Sequence, residues 1–411
     1  MEILYKVCCG LDVHAKTVVA CLNQQGKKQT RTFSTMTSDL LQLADWLTTH
    51  HCEMVAMEST GVYWKPLFNI LEASLELILV NTRHIKMVPG RKTDVSDAEW
   101  ISDCLRVGLL KPSFIPPLEI RELRELTRYR STLVGEKARL ANRIQKLAES
   151  GNIKLSQVAS DALGDSGKAM LRALAQGETD VVKMSEFARR ALRNKKPQLQ
   201  AALDGRLTRN QRWVLGDLLD RYEALESSIK RVEEQIEEEV KDNHDPFVDE
   251  AVELLQSIPG IGKRTAQVII AEIGVKMEQF PSAHHLSSWA GISPGNNESA
   301  GKRKSGKTTK GSKYLREALV QAGWAASHTK QSYLSAHYHK LARRMSKKKA
   351  LVAVGHSLLV IVYFVLKRRM SYQDLGGDYF DKQNVEQKSK RLIRQLEALG
   401  LTVTVEKRAA A

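Results

Sequence analysis

The chain is poor in cysteine, in aromatic residues and in acid, and each shortage excludes something. Five cysteines occur in 411 residues: Cys8, Cys9, Cys21, Cys52 and Cys104, all in the first quarter. None forms a CxxC pair or has a histidine at zinc-ligand spacing, so neither a disulfide scaffold nor a zinc module is expected, and the thiols read as reduced core groups. No apolar run reaches the ~18 residues that mark a membrane span. The longest, residues 350–366, is broken by Gly355, His356 and Ser357. A buried helix and no membrane partner are expected, with the basic flanks at 347–349 and 367–369 leaving a membrane-surface alternative open. The N-terminus has no basic stretch followed by an apolar one, so a cytoplasmic setting is expected.

The shortage of acid is the most informative. Lys and Arg number 63 against 47 Asp and Glu, a formal charge of +16. Such an excess neutralises phosphates and releases their counterions, so nucleic acid is the leading partner; a merely soluble basic protein is the alternative. With 42% hydrophobic and 27% charged residues the chain has globular composition, and its length calls for two or three domains.

Residues 3–12 and 17–22 are rich in Val, Leu and Cys around a short His14-Ala15-Lys16 connection, which reads as a β-hairpin. A third strand is expected at 30–33, a helix at 38–49, and strands at 54–57 and 75–80, followed by a helix that Thr93 would cap. This is an α/β pattern. After the Pro116-Pro117 pair, Leu126, Leu133, Leu140 and Leu147 recur every seven residues, and Leu218, Tyr222, Leu225, Ile229, Val232 and Ile236 follow the same heptad spacing. Two long helices forming a coiled-coil arm are expected. The expected domains are 1–117 (α/β), 118–245 (helical arm), 246–370 (a mainly helical unit) and 371–411 (a polar tail). The segment around 156–210 has no role legible in sequence.

Four carboxylates stand out in the first domain. Asp12 and Glu58 fall at the ends of two expected strands and can project from one edge of a sheet. Asp94 and Asp97 are three apart, a spacing that on a helix puts both on one face. Four anions gathered together need cations, and their hard oxygens suit Mg²⁺ or Mn²⁺. Two such ions ~4 Å apart can stabilise the attacking and leaving oxygens of a phosphodiester displacement. Ordinary surface carboxylates at strand ends and helix starts are the alternative. Arg83, Lys86, Arg91 and Lys92 nearby set base beside acid, as a metal-and-phosphate site requires.

Gly10-Leu11-Asp12-Val13-His14, Met57-Glu58-Ser59-Thr60-Gly61 and the stretch from Lys92-Thr93-Asp94 through Asp97-Ala98 resemble the DEDD transposases of the insertion-sequence one-ten family. The resemblance covers nearly the whole chain. It implies an RNase-H-like (RuvC-like) first domain with Asp12, Glu58, Asp94 and Asp97 as catalytic metal ligands. It also implies a C-terminal transposase domain carrying a nucleophilic serine, donor and target DNA as substrates, a structured non-coding bridge RNA as guide, and a homo-oligomer from dimer to tetramer.

In the C-terminal part, residues 290–302 form a Gly-rich stretch, and Lys302, Arg303, Lys304, Lys307, Lys310 and Lys313 follow without an acid between them. Backbone amides and these cations suit a phosphate-facing loop; a flexible basic connector is the alternative. The position that matches the family's serine is Ser299, in Glu298-Ser299-Ala300-Gly301, with Ser305 as fallback. Residues 254–274 place Pro259-Gly260-Ile261-Gly262-Lys263 between two apolar helical patterns, a helix-hairpin-helix-like arrangement whose turn, with Lys263, would grip a backbone phosphate; a plain αα-hairpin competes with it. The function expected is RNA-guided DNA strand exchange through a metal-assisted serine–DNA phosphodiester. A RuvC-like nuclease or junction resolvase without a covalent intermediate is the alternative.

Overall fold

Strand β1 (Val7–Val13) turns directly into β2 (Thr17–Gln24), the His14 amide donating to the Thr17 carbonyl at 2.9 Å, and β2 turns into β3 (Lys27–Ser34). The second turn, Gln25-Gly26, has positive φ at both residues (53° and 99°), which suits the right-handed twist of a two-residue hairpin. The chain then crosses through helix α1 (Thr37–Thr49) to β4 (Met54–Glu58), parallel to β1, and through α2 (Trp64–Leu71) to β5 (Leu77–Val80), parallel to β4. The sheet order is β3-β2-β1-β4-β5. The computed structural model describes residues 3–59, 61–81, 96–294, 297–299 and 302–404. The chain divides into two units, Met1–Ile115 and Pro116–Ala411.

Alternation along the strands sorts the first unit's core into two layers. Cys9, Leu11, Val13, Val55 and Met57 pack with Leu43, Leu47, Leu67 and Leu71 of α1 and α2. On the other face Cys8, Ala56 and Val80 pack with Ile101, Cys104 and Leu105 of helix α3 (Asp97–Arg106). The thiols are free and burial pushes Cys8 and Cys52 up to about 12 and Cys104 to about 11, so they stay protonated at neutral pH.

Helix α3 corrects one expectation. It begins at Asp97 with Ser96 as its cap, the Ser96 hydroxyl accepting from the Glu99 amide at 3.3 Å. The helix therefore starts three residues later than expected. The competing signal was Ser96 followed three residues later by Glu99, a stronger start than Thr93. Thr93 and Asp94 themselves lie outside the described residues.

In the second unit, α4 (Leu118–Ser150) and α6 (Arg209–Lys241) run antiparallel, each 33 residues long. Arg130 pairs with Glu233 (2.6 Å) and Lys137 with Glu226 (2.9 Å) across their seam, so the heptads close on one another within the chain. A Thr208–Gln211 capping box starts α6. Residues 155–203 form short helices and α5 (Asp165–Gln176), whose Met170, Leu171 and Leu174 build a core with Ile144, Leu215 and Leu219 of the long pair. That core is their function in the fold: they cap the far end of the arm.

Beyond the arm come α7 (Phe247–Gln256), α8 (Lys263–Ile273), α9 (Ala283–Trp289), a two-stranded hairpin of β6 (Asn297–Ser299) and β7 (Lys302–Ser305), α10 (Lys313–His328), α11 (Tyr333–Ala342), α12 (Lys347–Arg368) and α13 (Tyr379–Ala398). Among the described residues α12 is the one helix long and apolar enough to cross a membrane. Its Val354, Leu358, Leu359 and Val362 are fully buried and it packs on α7, α9, α10 and α11, which accounts for its composition as a core helix. The tail expected to be merely polar contains α13, whose Tyr379 and Phe380 pack on Tyr333 of α11 at 5.1 and 5.4 Å.

A buried charge network ties the arm to this helical assembly. Glu272 of α8 is 1% exposed and accepts from Nε and Nη2 of Arg128 (2.7 and 2.9 Å) and from the Ser312 hydroxyl (2.9 Å). Arg124 donates to the carbonyls of Ala271 and Glu272 at 2.9 and 2.7 Å; burial lowers its pKa to about 10, opposed by Glu272, so it remains charged. Ser312 in turn caps α10, accepting from the Leu315 amide at 3.3 Å. Removing one partner from such a network strands the others. Glu272→Ala should cost about 3–5 kcal/mol of stability, and Glu272→Gln less, measured as the urea midpoint of helical circular dichroism.

Candidate functional site

The sheet registers bring the first-unit carboxylates together. In the parallel pair Leu11 stands beside Met57, so one step further Asp12 stands beside Glu58 at the ends of β1 and β4. Alternation gives Asp12 the face of Cys8 and Gly10, and Glu58 the face of Ala56, which is the face covered by α3. Gly10 is where α3 meets β1: a Cβ there would lie 2.3 Å from the Ala98 carbonyl oxygen and 2.5 Å from the Ser102 nitrogen. The first turn of α3 is thereby held at Gly10, two residues from Asp12, and Asp97 is its first residue.

The electrostatics agree with this juxtaposition. The Asp12 side chain is 17% exposed. Burial raises its pKa, the charges of Asp97 and Glu58 raise it further, and His14, whose Nε2 lies 3.1 Å from Asp12 Oδ2, opposes them. Asp12 thus shares one electrostatic environment with Glu58 and Asp97. Among the described residues, no group of three or more His, Cys, Asp or Glu side chains is close-set enough to hold a metal ion. The donors nonetheless fit a hard cation in kind: all are carboxylate oxygens, and mutual repulsion raises the Asp12 pKa, a penalty that a divalent ion removes. The fourth expected ligand, Asp94, and the basic Arg91 and Lys92 lie outside the described residues.

His14 was read in sequence as part of the hairpin connection and of the Gly10–His14 motif, without a role of its own. Its signal was position: two residues beyond a carboxylate at a strand end, where the tight turn folds the imidazole back onto Asp12.

In the second unit the basic segment forms the β6–β7 hairpin, and Ser299 ends β6 opposite Lys302. An isolated bridge between Pro294 and Thr308 closes the hairpin's base. Lys302, Lys307, Lys310 and Lys313 are exposed. Arg303 and Lys304 lie on β7, and Arg303 is the register partner of Glu298. The side chains of Ser299, Arg303 and Lys304 lie outside the described residues.

The α7–α8 pair forms the expected helical hairpin. Gly260, at φ 89°, is seated so closely on α10 that a Cβ would lie 2.3 Å from the Ala322 carbonyl oxygen. Lys263 opens α8 but pairs with Glu237 of the arm at 3.2 Å, and Arg264 pairs with Glu233 and Glu237 at 3.2 and 3.1 Å. A phosphate at this turn would have to draw Lys263 away from Glu237. Of the C-terminal aromatics, Tyr363 is core, its hydroxyl donating to the Phe280 carbonyl at 3.2 Å, and Trp324 is exposed beside His328, ring centroids 4.6 Å apart.

Comparison with known proteins adds the class. Residues 9–152 match the DEDD transposase model of IS110, described as a transposase, and residues 252–339 match a model described as transposase IS116/IS110/IS902 family. A protein from Pseudomonas aeruginosa called a probable family 20 transposase is 25% identical over 371 residues, spanning 89% of this chain and 94% of its own. The pilin gene-inverting protein of Moraxella bovis is 24% identical, over 89% of this chain and 98% of its own. The transposase for insertion sequence element IS1111A of Coxiella burnetii is 24% identical, over 78% and 79%. The class is that of transposases, DNA-processing enzymes. Within it, the chain belongs to the IS110 family: the first model spans the first unit and runs on into α4, and the second lies within the second unit.

The raised Asp12 pKa makes a prediction with a definite sign. A carboxyl whose folded-state pKa lies above its unfolded value of 3.8 loses stability for the fold as pH rises through that interval. Without metal at pH 7, Asp12→Asn should therefore raise Tm by about 1–4 °C and flatten the pH dependence just above the ordinary carboxylate range. A lower Tm in thermal melts would mean that the His14 pair outweighs the repulsion.

Proposed function

We propose that this chain is a transposase that cuts and rejoins DNA through a serine–DNA phosphodiester, with Asp12, Glu58, Asp94 and Asp97 as ligands of Mg²⁺ or Mn²⁺ and Ser299 as nucleophile. The observation that carries the reading is the convergence of Asp12, Glu58 and Asp97 on one sheet face in a chain of this family. The first unit is read as RNase-H-like, of the RuvC-like kind. Three antiparallel leading strands followed by two parallel ones, in the order β3-β2-β1-β4-β5, support that reading.

Divalent metal, when bound, would supply charge stabilisation for the attacking and leaving oxygens. The chain's residues do the rest. The carboxylates fix the site and His14 orients Asp12 through its 3.1 Å contact. Ser299 Oγ gives up its proton and forms a bond to phosphorus, the bond to the leaving deoxyribose oxygen breaks, and that oxygen takes a proton. In rejoining, the hydroxyl of a new strand attacks the same phosphorus and Oγ leaves with a proton. Each step exchanges one phosphodiester for another, so no nucleoside triphosphate is consumed. Lys302, Arg303, Lys304, Lys307, Lys310 and Lys313 would hold the strand's phosphates, as Arg91 and Lys92 would at the carboxylates.

The carboxylates and Ser299 belong to different units, and exchange between two DNA sites needs several centres, so a dimer or tetramer in which units combine is part of the proposal. So is a structured guide RNA: pairing would read sequence while a chain of charge +16 holds backbone. Sequencing of RNA that copurifies with the protein addresses the guide. The chemistry is tested by denaturing electrophoresis of the protein incubated with labelled element-end DNA and Mg²⁺. A covalent adduct is expected in the wild type and none in Ser299→Ala, with cleavage falling at least a hundredfold. Undiminished cleavage by Ser299→Ala with no adduct in the wild type would instead indicate a RuvC-like nuclease using water.

A further inference from the structure

Beneath the base of the β6–β7 hairpin lies a cleft of about 1070 Å³, entirely within the second unit. Pro294 and Thr308, the bridged pair that closes the hairpin, are both in its wall. The segment carrying Ser299 therefore springs from the cleft's rim. The cleft has two chemically distinct parts. Ile292, Leu341, Met345, Val352 and Ala353 make an apolar floor. Lys307, Arg316, Lys348 and Lys349 supply four cations, and no Asp or Glu is present among the described lining residues.

Further polar groups complete the wall. Arg316 donates to the Thr308 hydroxyl, which fixes its guanidinium at the hairpin base. His337 forms a three-ring cluster with Tyr333 and Phe380, with centroids 5.7 and 5.6 Å away, and its Nε2 lies 3.3 Å from Ser357 Oγ. Its Nδ1 is buried without a hydrogen-bond partner. Burial lowers the pKa of both His337 and His356, which favours the neutral ring with one donor and one acceptor nitrogen.

A cation rim over an apolar floor, with neutral imidazoles on the wall, fits an amphiphilic anion. Inorganic phosphate would leave the floor uncovered, and a fatty acid would leave the imidazoles unused. A nucleotide satisfies all three: base on the apolar floor, edge to His356 and Ser357, phosphates on the lysines and arginine. Duplex DNA cannot present a base this way, whereas an unpaired or extruded nucleotide can.

We propose that this cleft binds one unpaired nucleotide of the DNA strand held by the hairpin, keeping the strand open beside Ser299. The proposal rests on the reading of the hairpin as a DNA-holding element. It needs neither metal nor the serine, so it can fail while the strand-exchange chemistry stands.

The test is fluorescence anisotropy of labelled oligonucleotides with the full-length protein in EDTA. Octathymidylate should bind at least tenfold tighter than an abasic octamer of equal charge, because the base occupies the floor. Ala353→Phe, which fills the floor, should weaken octathymidylate at least tenfold and leave a 20-base-pair duplex within twofold. Met345→Glu, at a residue 36% exposed, brings an acid to the rim without burdening the core and should give the same selective loss. Equal affinity for the abasic octamer, or equal losses for single strand and duplex, would overturn the proposal. Tenfold tighter binding of octauridylate than octathymidylate would assign the cleft to RNA and overturn it as well.

Discussion

Of the glycines in the first unit's described residues, Gly10 has the least space for a side chain, and it sits beside the candidate carboxylates. Helix α3 lies on β1 at Gly10 with no space for a β-carbon, the Ala98 carbonyl standing 2.3 Å from where one would be. Sheets and helices ordinarily pack through intervening side chains. Here the absence of one lets the first turn of α3 approach the strand, and the three residues that follow from it are fixed: Asp12 two along from Gly10, Glu58 its register neighbour, Asp97 at the helix start. The burial of Ile101, Cys104 and Leu105 behind this contact supplies the hydrophobic energy that holds an otherwise repulsive arrangement in place, each large side chain worth ~1.5–3 kcal/mol.

A fold that gathers carboxylates spends stability on them. Like charges set close together in a partly buried place repel, and in Asp12 that repulsion adds to the effect of burial. His14 offsets part of it. A bound divalent ion, as proposed, would offset more. The second unit has the opposite sign: a hairpin and a cleft rich in Lys and Arg, anchored through Ser312 to the buried Glu272 network that also fixes the arm. The proposed strand exchange would draw on both, the carboxylates of one unit and the cations of the other.

Much of this was readable from the residues because the relevant signals are local. Alternating Val, Leu and Cys gave the hairpin strands to within a few residues, and heptad leucines gave both long helices. The ends of β1 and β4 were where Asp12 and Glu58 were expected. The start of α3 was misread because two capping signals lay three residues apart, and the Ser96–Glu99 pair wins over Thr93. Other features were out of reach for a different reason. The cleft joins residues 292, 308, 316, 337 and 353, which no periodicity connects, and the short helices of 155–203 acquire a role only when packed on the arm. Lys348 and Lys349 read as the flank of an apolar helix until the fold placed them in the cleft wall.

The central claim is that Asp12, Glu58 and Asp97 act together as a divalent-metal site. Titration of the full-length protein with Mn²⁺, followed by electron paramagnetic resonance of the free ion, reads it most directly. Each of Asp12→Ala, Glu58→Ala and Asp97→Ala is predicted to weaken Mn²⁺ binding at least tenfold while circular dichroism stays unchanged. Wild-type affinity in Asp12→Ala and Glu58→Ala would contradict the account.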